Sequence, residues 1–323
     1  MIKQDIAMGL VRVTEAAALC SSKYMGRGDK VAADQAAVDG MEKAFSMLPI
    51  KGTVVIGEGE MDEAPMLYIG QELGIGADGM EEMDIAVDPL DGTVLIAKGL
   101  PNAISVMAMG PKGSLLNAPD MYMKKIAVGA SAKGVIDINK TNKENIINVA
   151  MALNKDVTEL TIMVQERERH NDIIKDAREV GARVKLFSEG DVAAVLACGF
   201  ESTGVDMMMG TGGAPEGVIA AAAIKCMGGD MQAKLVPQKE EEIERCKSMG
   251  IKDIEATLYI NDLVKSDDIY FAATAVTDSD LLKGVVYSKN NWATTQSIVM
   301  RSKTGTIRFV DAQHHLSRSN LVL

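Results

Sequence analysis

The sequence predicts an α/β protein built as two lobes, an α+β lobe over residues 1–155 and an α/β lobe over residues 156–323. Three observations lead there. The chain has 323 residues, more than a single growing core usually accommodates. Its first part mixes helical stripes with short β-branched runs, and from about Thr158 strand and helix patterns alternate as in parallel βα units. Apolar residues make up 47% and charged residues 24%, a globular balance rather than that of a disordered chain.

Ile6, Leu10, Val13, Ala17 and Cys20 recur at spacings of four and three, an amphipathic helix that stops at Gly26-Arg27-Gly28. Asp29 suits the N-cap of a second helix, with Val38, Met41 and Phe45 on one face and Lys30 and Asp34 in or near the first turn. Residues 53–57 form a strand, and Asp62 is expected to cap a helix that holds Pro65 in its first turn and runs through Leu67, Ile69 and Leu73. Residues 85–87 and 104–108 are further strands, and the Lys112-Gly113 turn leads into Ser114-Leu115-Leu116. Beyond the boundary near 155 come a strand at 160–164, a helix at 171–180, a strand at 183–187 and a helix from Val192. A strand at 205–209 then reaches the glycine-rich run 210–217 and the apolar helix 218–224, and residues 253–308 read as several strands and one helix.

Charge and composition exclude some functions. A net charge of −11 argues against general nucleic-acid affinity, which needs a basic face. An anionic substrate would therefore need metal ions and a few placed cations. No apolar run reaches membrane-spanning length, and the charged opening residues form no signal-peptide core, so a soluble, unprocessed protein with no membrane partner is expected. The four scattered cysteines form no Cys-x-x-Cys pair, which fits a reduced cytoplasmic setting. His170, His314 and His315 are not spaced as a zinc set, and no Gly-x-Ser-x-Gly appears.

The chemistry-bearing stretch is Asp88-Pro89-Leu90-Asp91-Gly92-Thr93, directly after the apolar run Ile85-Ala86-Val87. Proline biases Asp88 toward an extended or turn backbone, which points Asp88 and Asp91 out of the strand end as a chelating pair. Oxygen ligands from strand ends suit hard ions such as Mg²⁺ or Mn²⁺. A solvated Asp-Gly turn is the plain alternative for the hexapeptide alone. Thr93 offers a hydroxyl beside a metal or phosphate, or else a simple helix cap. Glu58, Glu60 and Asp62 alternate, so in a continuing strand they share a face and need cations to offset their charge. A solvated acidic loop is the alternative there. The glycines before Glu216 make a phosphate-friendly turn into a helix. Arg167 and Arg169 could clamp a phosphate, although Glu166-Arg167-Glu168-Arg169 taken alone reads as a solvated salt-bridge stretch.

These residues resemble the lithium-sensitive, metal-dependent phosphatase superfamily, whose signature is an Asp-Pro-(Ile/Leu)-Asp-Gly-(Thr/Ser) turn. More closely, the chain resembles the bacterial class II fructose-1,6-bisphosphatases. The matching landmarks are Gly26-Arg27-Gly28-Asp29-Lys30, the run IGEGEMDEAPML from Ile56 to Leu67, Asp88 to Thr93, the run NAPDMYM from Asn117 to Met123, and GGAPEG from Gly212 to Gly217.

That resemblance implies a layered αβαβα sandwich and a homodimer or homotetramer. It implies metal ligands at Asp34, Glu58, Asp88, Asp91 and Glu216 for Mg²⁺ or Mn²⁺, with more than one ion. Asp91, Gly92, Thr93, Tyr122, Arg167, Glu168, Arg169, Glu189, Gly190, Asp191 and Gly213 would line a sugar-bisphosphate pocket, which reverses the bland reading of the arginines. Thr93 would be the catalytic hydroxyl, with Asp62 and Lys30 beside the reacting phosphate. Glu189-Gly190-Asp191 stands where relatives carry Asp-Gly-Asp, and Arg167-Glu168-Arg169 where they carry Lys-Pro-Arg. The implied activity is hydrolysis of the 1-phosphate of fructose 1,6-bisphosphate in gluconeogenesis. An inositol-monophosphatase-like enzyme, sedoheptulose 1,7-bisphosphate hydrolysis and a non-catalytic sugar-phosphate sensor are the alternatives.

Overall fold

The computed structural model describes residues 6–59, 66–77 and 80–318. Along the chain run α1 (Ile6–Ser21), α2 (Lys30–Phe45), β1 (Lys51–Ile56), β2 (Glu72–Leu73), β3 (Glu82–Asp91), α3 (Thr93–Lys98), β4 (Ile104–Pro111) and β5 (Tyr122–Val128). There follow α4 (Asn142–Ala152), β6 (Thr161–Gln165), α5 (Asn171–Glu179), β7 (Arg183–Phe187), α6 (Asp191–Ala197), β8 (Met207–Gly213), α7 (Ala214–Met227) and β9 (Asp230–Val236). The chain closes with α8 (Glu240–Ser248), β10 (Leu258–Tyr259), α9 (Ile260–Leu263), β11 (Tyr270–Ala275), β12 (Val286–Ser288), β13 (Trp292–Arg301) and β14 (Thr306–His315). The fold is mixed α/β with two mixed sheets, as the sequence predicts for its class.

The first compact unit comprises residues 1–115 and 266–323. Its described sheet has the order β12-β13-β11-β4-β3-β1-β2, with β14 paired along β13. Neighbours β1 and β3 are parallel, whereas β4, β11 and β13 follow antiparallel. α1 and α2 bury their stripes on this sheet through Leu10, Val13, Ala17, Val38, Met41 and Phe45, packed against Ile85, Val87 and Met107. α2 begins where the sequence predicts, because Asp29 Oδ1 accepts the Ala32 N–H at 3.0 Å.

The expected helix through Leu67, Ile69 and Leu73 does not form. Leu67 (φ 54°), Gly70 (φ 95°) and Gly74 (φ 92°) adopt left-handed backbone, which a helix cannot contain. The chain instead turns back as β2, antiparallel to β1 with Gly52 opposite Leu73. Gly57 admits this close return, since a Cβ there would lie 2.0 Å from the Leu67 carbonyl oxygen. The proposed cap of that helix, Asp62, lies outside the described residues.

The second unit comprises residues 116–265. Its sheet order is β10-β9-β5-β8-β6-β7. β6 pairs parallel with both β7 and β8, as the βα alternation predicts, but β5, β9 and β10 join antiparallel. A mixed sheet thus replaces the expected parallel one. One face packs Ile126, Val128, Ile162, Val164, Met207 and Met209 against α4 and α5 through Ile146, Val149, Ile173 and Ala177. α7 packs on β5, β8 and β9, and it meets Met123 and Lys125, whose side chains alternate with Ile126 and Val128 and so face the other way.

These units part at 115/116 and 265/266 rather than near 155. The reason is long-range pairing: β5 and α4 already belong to the second unit, and β11 to β14 return to the first sheet. A change of local period near Thr158 carries no record of either event. Among the described residues no helix is long and apolar enough to cross a membrane.

Candidate functional site

In the first unit, the predicted ligands stand where strands end and helices start. The parallel pairing of β1 and β3 ends at Ile56 opposite Ala86; Glu58 follows in the bend after β1, while Asp88 continues along β3 opposite Val106 of β4. Asp88 Oδ1 accepts the Leu90 N–H at 3.1 Å, a turn across Pro89 that shapes the exit from β3. Asp91 is buried at the end of β3 and pairs with Ile104 after a shift of register.

Gly92 follows with φ 95° and serves as N-cap of α3, and Thr93 is the first helical residue. A Cβ at Gly92 would also come within 2.8 Å of Leu95 Cδ1, so only glycine takes this corner without strain. The Gly26-Arg27-Gly28 turn docks on the far end of α3. Gly26 N–H donates to the Ile96 carbonyl and Gly28 N–H to the Ala97 carbonyl, each at 2.9 Å. These bonds satisfy helix-end acceptors and tie the start of α2, with Lys30 and Asp34, to the helix that Thr93 opens. Lys30 is exposed at the first position of α2 and Asp34 is half-buried one turn later. Burial raises the Asp34 carboxyl above its ordinary value.

In the second unit, the predicted residues gather at one end of the sheet, where the parallel strands β6, β7 and β8 finish and antiparallel β5 begins. Clefts at the carboxyl ends of parallel strands commonly bind ligands. Arg167 and Arg169 follow β6, Glu189 and Gly190 follow β7, Asp191 opens α6, and Gly213 ends β8 opposite Tyr122 in register. Arg169 Nε and Nη2 both donate to the Thr211 carbonyl, at 3.0 and 2.8 Å, while its guanidinium lies 4.9 Å from the centre of the Tyr122 ring. Arg169 is therefore fixed in place, a rigid cation on an aromatic face. Arg167 is looser: its Nη2 lies 3.8 Å from Glu189 Oε1. Glu168 is exposed. Gly190 (φ 84°) caps α6 with left-handed backbone.

His170, which sequence reading treats only as an excluded zinc ligand, holds this end together. Its Nδ1 bonds the Gln165 carbonyl at 2.8 Å and its Nε2 accepts the Thr211 N–H at 2.8 Å. Those partners require a neutral ring protonated on Nδ1, and burial lowers its pKa to match.

Lys125 is the residue the sequence reading misses. It is 1% exposed on β5, and its Nζ donates to the Asp191 carboxylate and, at 2.8 Å, to the Gly213 carbonyl. The available signal is that Lys125 alternates with Met123 and Ala127 on one face of the strand, where an apolar residue would be favoured. Glu216, in the first turn of α7, buries its Oε2 without a hydrogen-bond partner among the described residues. Its carboxyl is raised first by burial and then by the charge of Asp191, with Lys125 opposing. An unmatched buried carboxylate oxygen calls for a cation.

Of the predicted ligands, Asp34, Glu58, Asp88 and Asp91 thus belong to the first unit and Glu216 to the second. Among the described residues, no group of three or more His, Cys, Asp or Glu side chains is gathered closely enough to hold a metal ion.

The family model described as bacterial fructose-1,6-bisphosphatase, glpX-encoded, matches residues 4–314. The chain is 45% identical to "Fructose-1,6-bisphosphatase class 2" of Haemophilus influenzae, over 98% of this chain and 97% of that protein. It is 44% identical to "Fructose-1,6-bisphosphatase 1 class 2" of Escherichia coli K12, over 99% of this chain and 98% of that protein.

Proposed function

Since the chain belongs to the glpX-type bacterial fructose-1,6-bisphosphatase family, we propose that it hydrolyses the 1-phosphate of fructose 1,6-bisphosphate, yielding fructose 6-phosphate and phosphate. The observation that best supports the chemistry is the joint between β3 and α3, where Asp91 ends the strand, Gly92 turns the chain and Thr93 opens the helix.

The donor set fits a divalent metal, because it is all carboxylate oxygen and includes the orphaned Oε2 of Glu216. Asp34, Glu58, Asp88, Asp91 and Glu216 are the residues that would hold Mg²⁺ or Mn²⁺. When bound, such ions neutralise phosphate charge and make an attacking water more acidic. Thr93, at the first turn of α3, orients or supplies the attacking hydroxyl, while the backbone N–H groups of that turn face the phosphate. Asp62 takes a proton from the attacking oxygen. Lys30 offsets the charge that builds on the transferring phosphoryl group.

Tyr122, Arg169 and Asp191 bind the sugar bisphosphate, with Arg167, Glu168, Glu189, Gly190 and Gly213 around them. Pre-fixing Arg169 through Thr211 lowers the ordering cost of binding an anion. A homodimer or homotetramer in a reducing cytoplasm completes the proposal, consistent with four unbridged cysteines. Coupled detection of fructose 6-phosphate tests the reaction. Its release in step with phosphate supports the proposal, and accumulation of fructose 1-phosphate or no product refutes it.

A further inference from the structure

We infer that Lys125 is a positioning residue that divides the labour of two acids: it holds Asp191 as a neutralised acceptor for the sugar, and so leaves Glu216 to take the divalent cation. This rests on the proposed sugar-bisphosphate site and assigns a role inside it.

The geometry carries the inference. Lys125 is fully enclosed, and its ammonium bonds Asp191 and the Gly213 carbonyl but not Glu216. Two acids thus share one internal cation unequally. Asp191 receives it, whereas Glu216 Oε2 stays buried and unmatched among the described residues. An ammonium is a compact point charge that satisfies one carboxylate well and cannot serve a second at the same time through the same proton.

The surrounding glycines clear room for this pair. A Cβ at Gly212 would lie 2.5 Å from Asp191 Oδ2 and 3.2 Å from Lys125 Nζ, and one at Gly217 would lie 3.2 Å from Lys125 Cδ. One at Gly213 would collide with Glu216 Oε2 at 1.8 Å. The glycine spacing of Gly212-Gly213-Ala214-Pro215-Glu216-Gly217 therefore accommodates a buried lysine and two separately placed acids, beyond making a turn.

The division predicts opposite effects from the two ends of the ion pair. In Lys125→Met, Asp191 loses its counter-charge and becomes a second cation-seeking group. Mn²⁺ binding without substrate then tightens roughly three- to tenfold, while KM for fructose 1,6-bisphosphate rises about tenfold as Asp191 loses its fixed position. In Asp191→Asn, the ammonium is left to pair with Glu216, and Mn²⁺ binding weakens by roughly the same factor. The double variant returns Mn²⁺ affinity close to that of the unaltered protein.

The test is titration of Mn²⁺ against the purified full chain, read as loss of the free-ion electron-resonance signal, beside steady-state kinetics that separate KM from kcat. Opposite shifts in Mn²⁺ affinity support the assignment. Equal weakening by both variants, or no change in either, overturns it. If Lys125→Met does not fold, Asp191→Asn, which keeps the side chain's shape and removes its charge, is read by itself, and unchanged Mn²⁺ affinity in that variant alone overturns it. Absence of sugar-bisphosphate hydrolysis by the unaltered chain would instead refute the proposed reaction, leaving the Mn²⁺ shifts to be judged separately.

Discussion

Ile56, the last residue of β1, pairs with Ala86 of β3 in parallel register, and beyond that pair Glu58 enters a bend while Asp88 continues along β3. A one-residue slip of β3 against its neighbours would turn Asp88 to the opposite face of the sheet.

Glu58→Gln and Asp88→Asn keep size and remove charge. Each is expected to lower kcat by at least about 100-fold, since even residues that only support a metal ligand are worth 10–100-fold. Mn²⁺ binding should weaken in parallel. Initial-rate assays across a Mn²⁺ series, with circular dichroism to confirm folding, provide the check; wild-type rates in either variant would remove that residue from the site.

Thr93 opens α3 behind a left-handed Gly92, which limits where its hydroxyl can point. Thr93→Ala is expected to cut kcat by about 10²–10⁴-fold, the range of a lost proton-transfer partner, with KM nearly unchanged. Thr93→Ser should recover much of the loss because the hydroxyl returns. A rise in KM with kcat intact would show that Thr93 serves binding alone.

Gly57 lies between β1 and Glu58, beneath the returning Leu67 carbonyl. Gly57→Ala is expected to destabilise the chain by about 1–3 kcal/mol, the usual cost of forced overpacking. The thermal midpoint should fall by several degrees, and activity should fall with it because the Glu58 turn is displaced. Unchanged melting would mean that the turn yields freely.

Glu15 of α1 is buried near His314, and Thr295 joins the two: its hydroxyl lies 3.1 Å from Glu15 Oε1 and 2.8 Å from His314 Nε2. Burial raises the Glu15 carboxyl from 4.5 to about 7, against the lowering effects of Thr295 and Arg12. The folded state therefore binds the proton more tightly than the unfolded one. Stability linked to this group is full below the unfolded value and is lost as pH climbs through the window from 4.5 to about 7. The loss is at most about 3 kcal/mol. His314 is shifted downward by burial, so it favours folding when neutral and opposes it as pH falls. Glu15→Gln keeps the hydrogen bond to Thr295 and cannot ionise. Its melting temperature should gain on the wild type between pH 5 and pH 8; parallel curves across that range would exclude the effect.

Much of the first unit is legible locally. The stripe Leu10, Val13, Ala17 and the cap Asp29 define α1 and α2 because helix period and capping are short-range signals. The turn from Asp88 to Thr93 is legible for the same reason: proline and glycine fix its backbone. The stretch from Leu67 to Leu73 misleads, because its apolar residues suit a helix while the pairing of Leu73 with Gly52 and the left-handed Leu67 are tertiary outcomes. Arg169 reads as solvated until Thr211 and Tyr122 are brought beside it from other strands. Lys125 escapes notice and His170 reads only as a histidine outside any zinc set, since only their distant partners distinguish an interior bridge from an ordinary surface side chain.

The most direct test of the central claim is phosphate release from fructose 1,6-bisphosphate by the purified chain, measured with Mg²⁺, with Mn²⁺ and with excess chelator. The account predicts release with a divalent ion, abolition by chelator and recovery when the ion is restored. Hydrolysis that continues undiminished in chelator would contradict it.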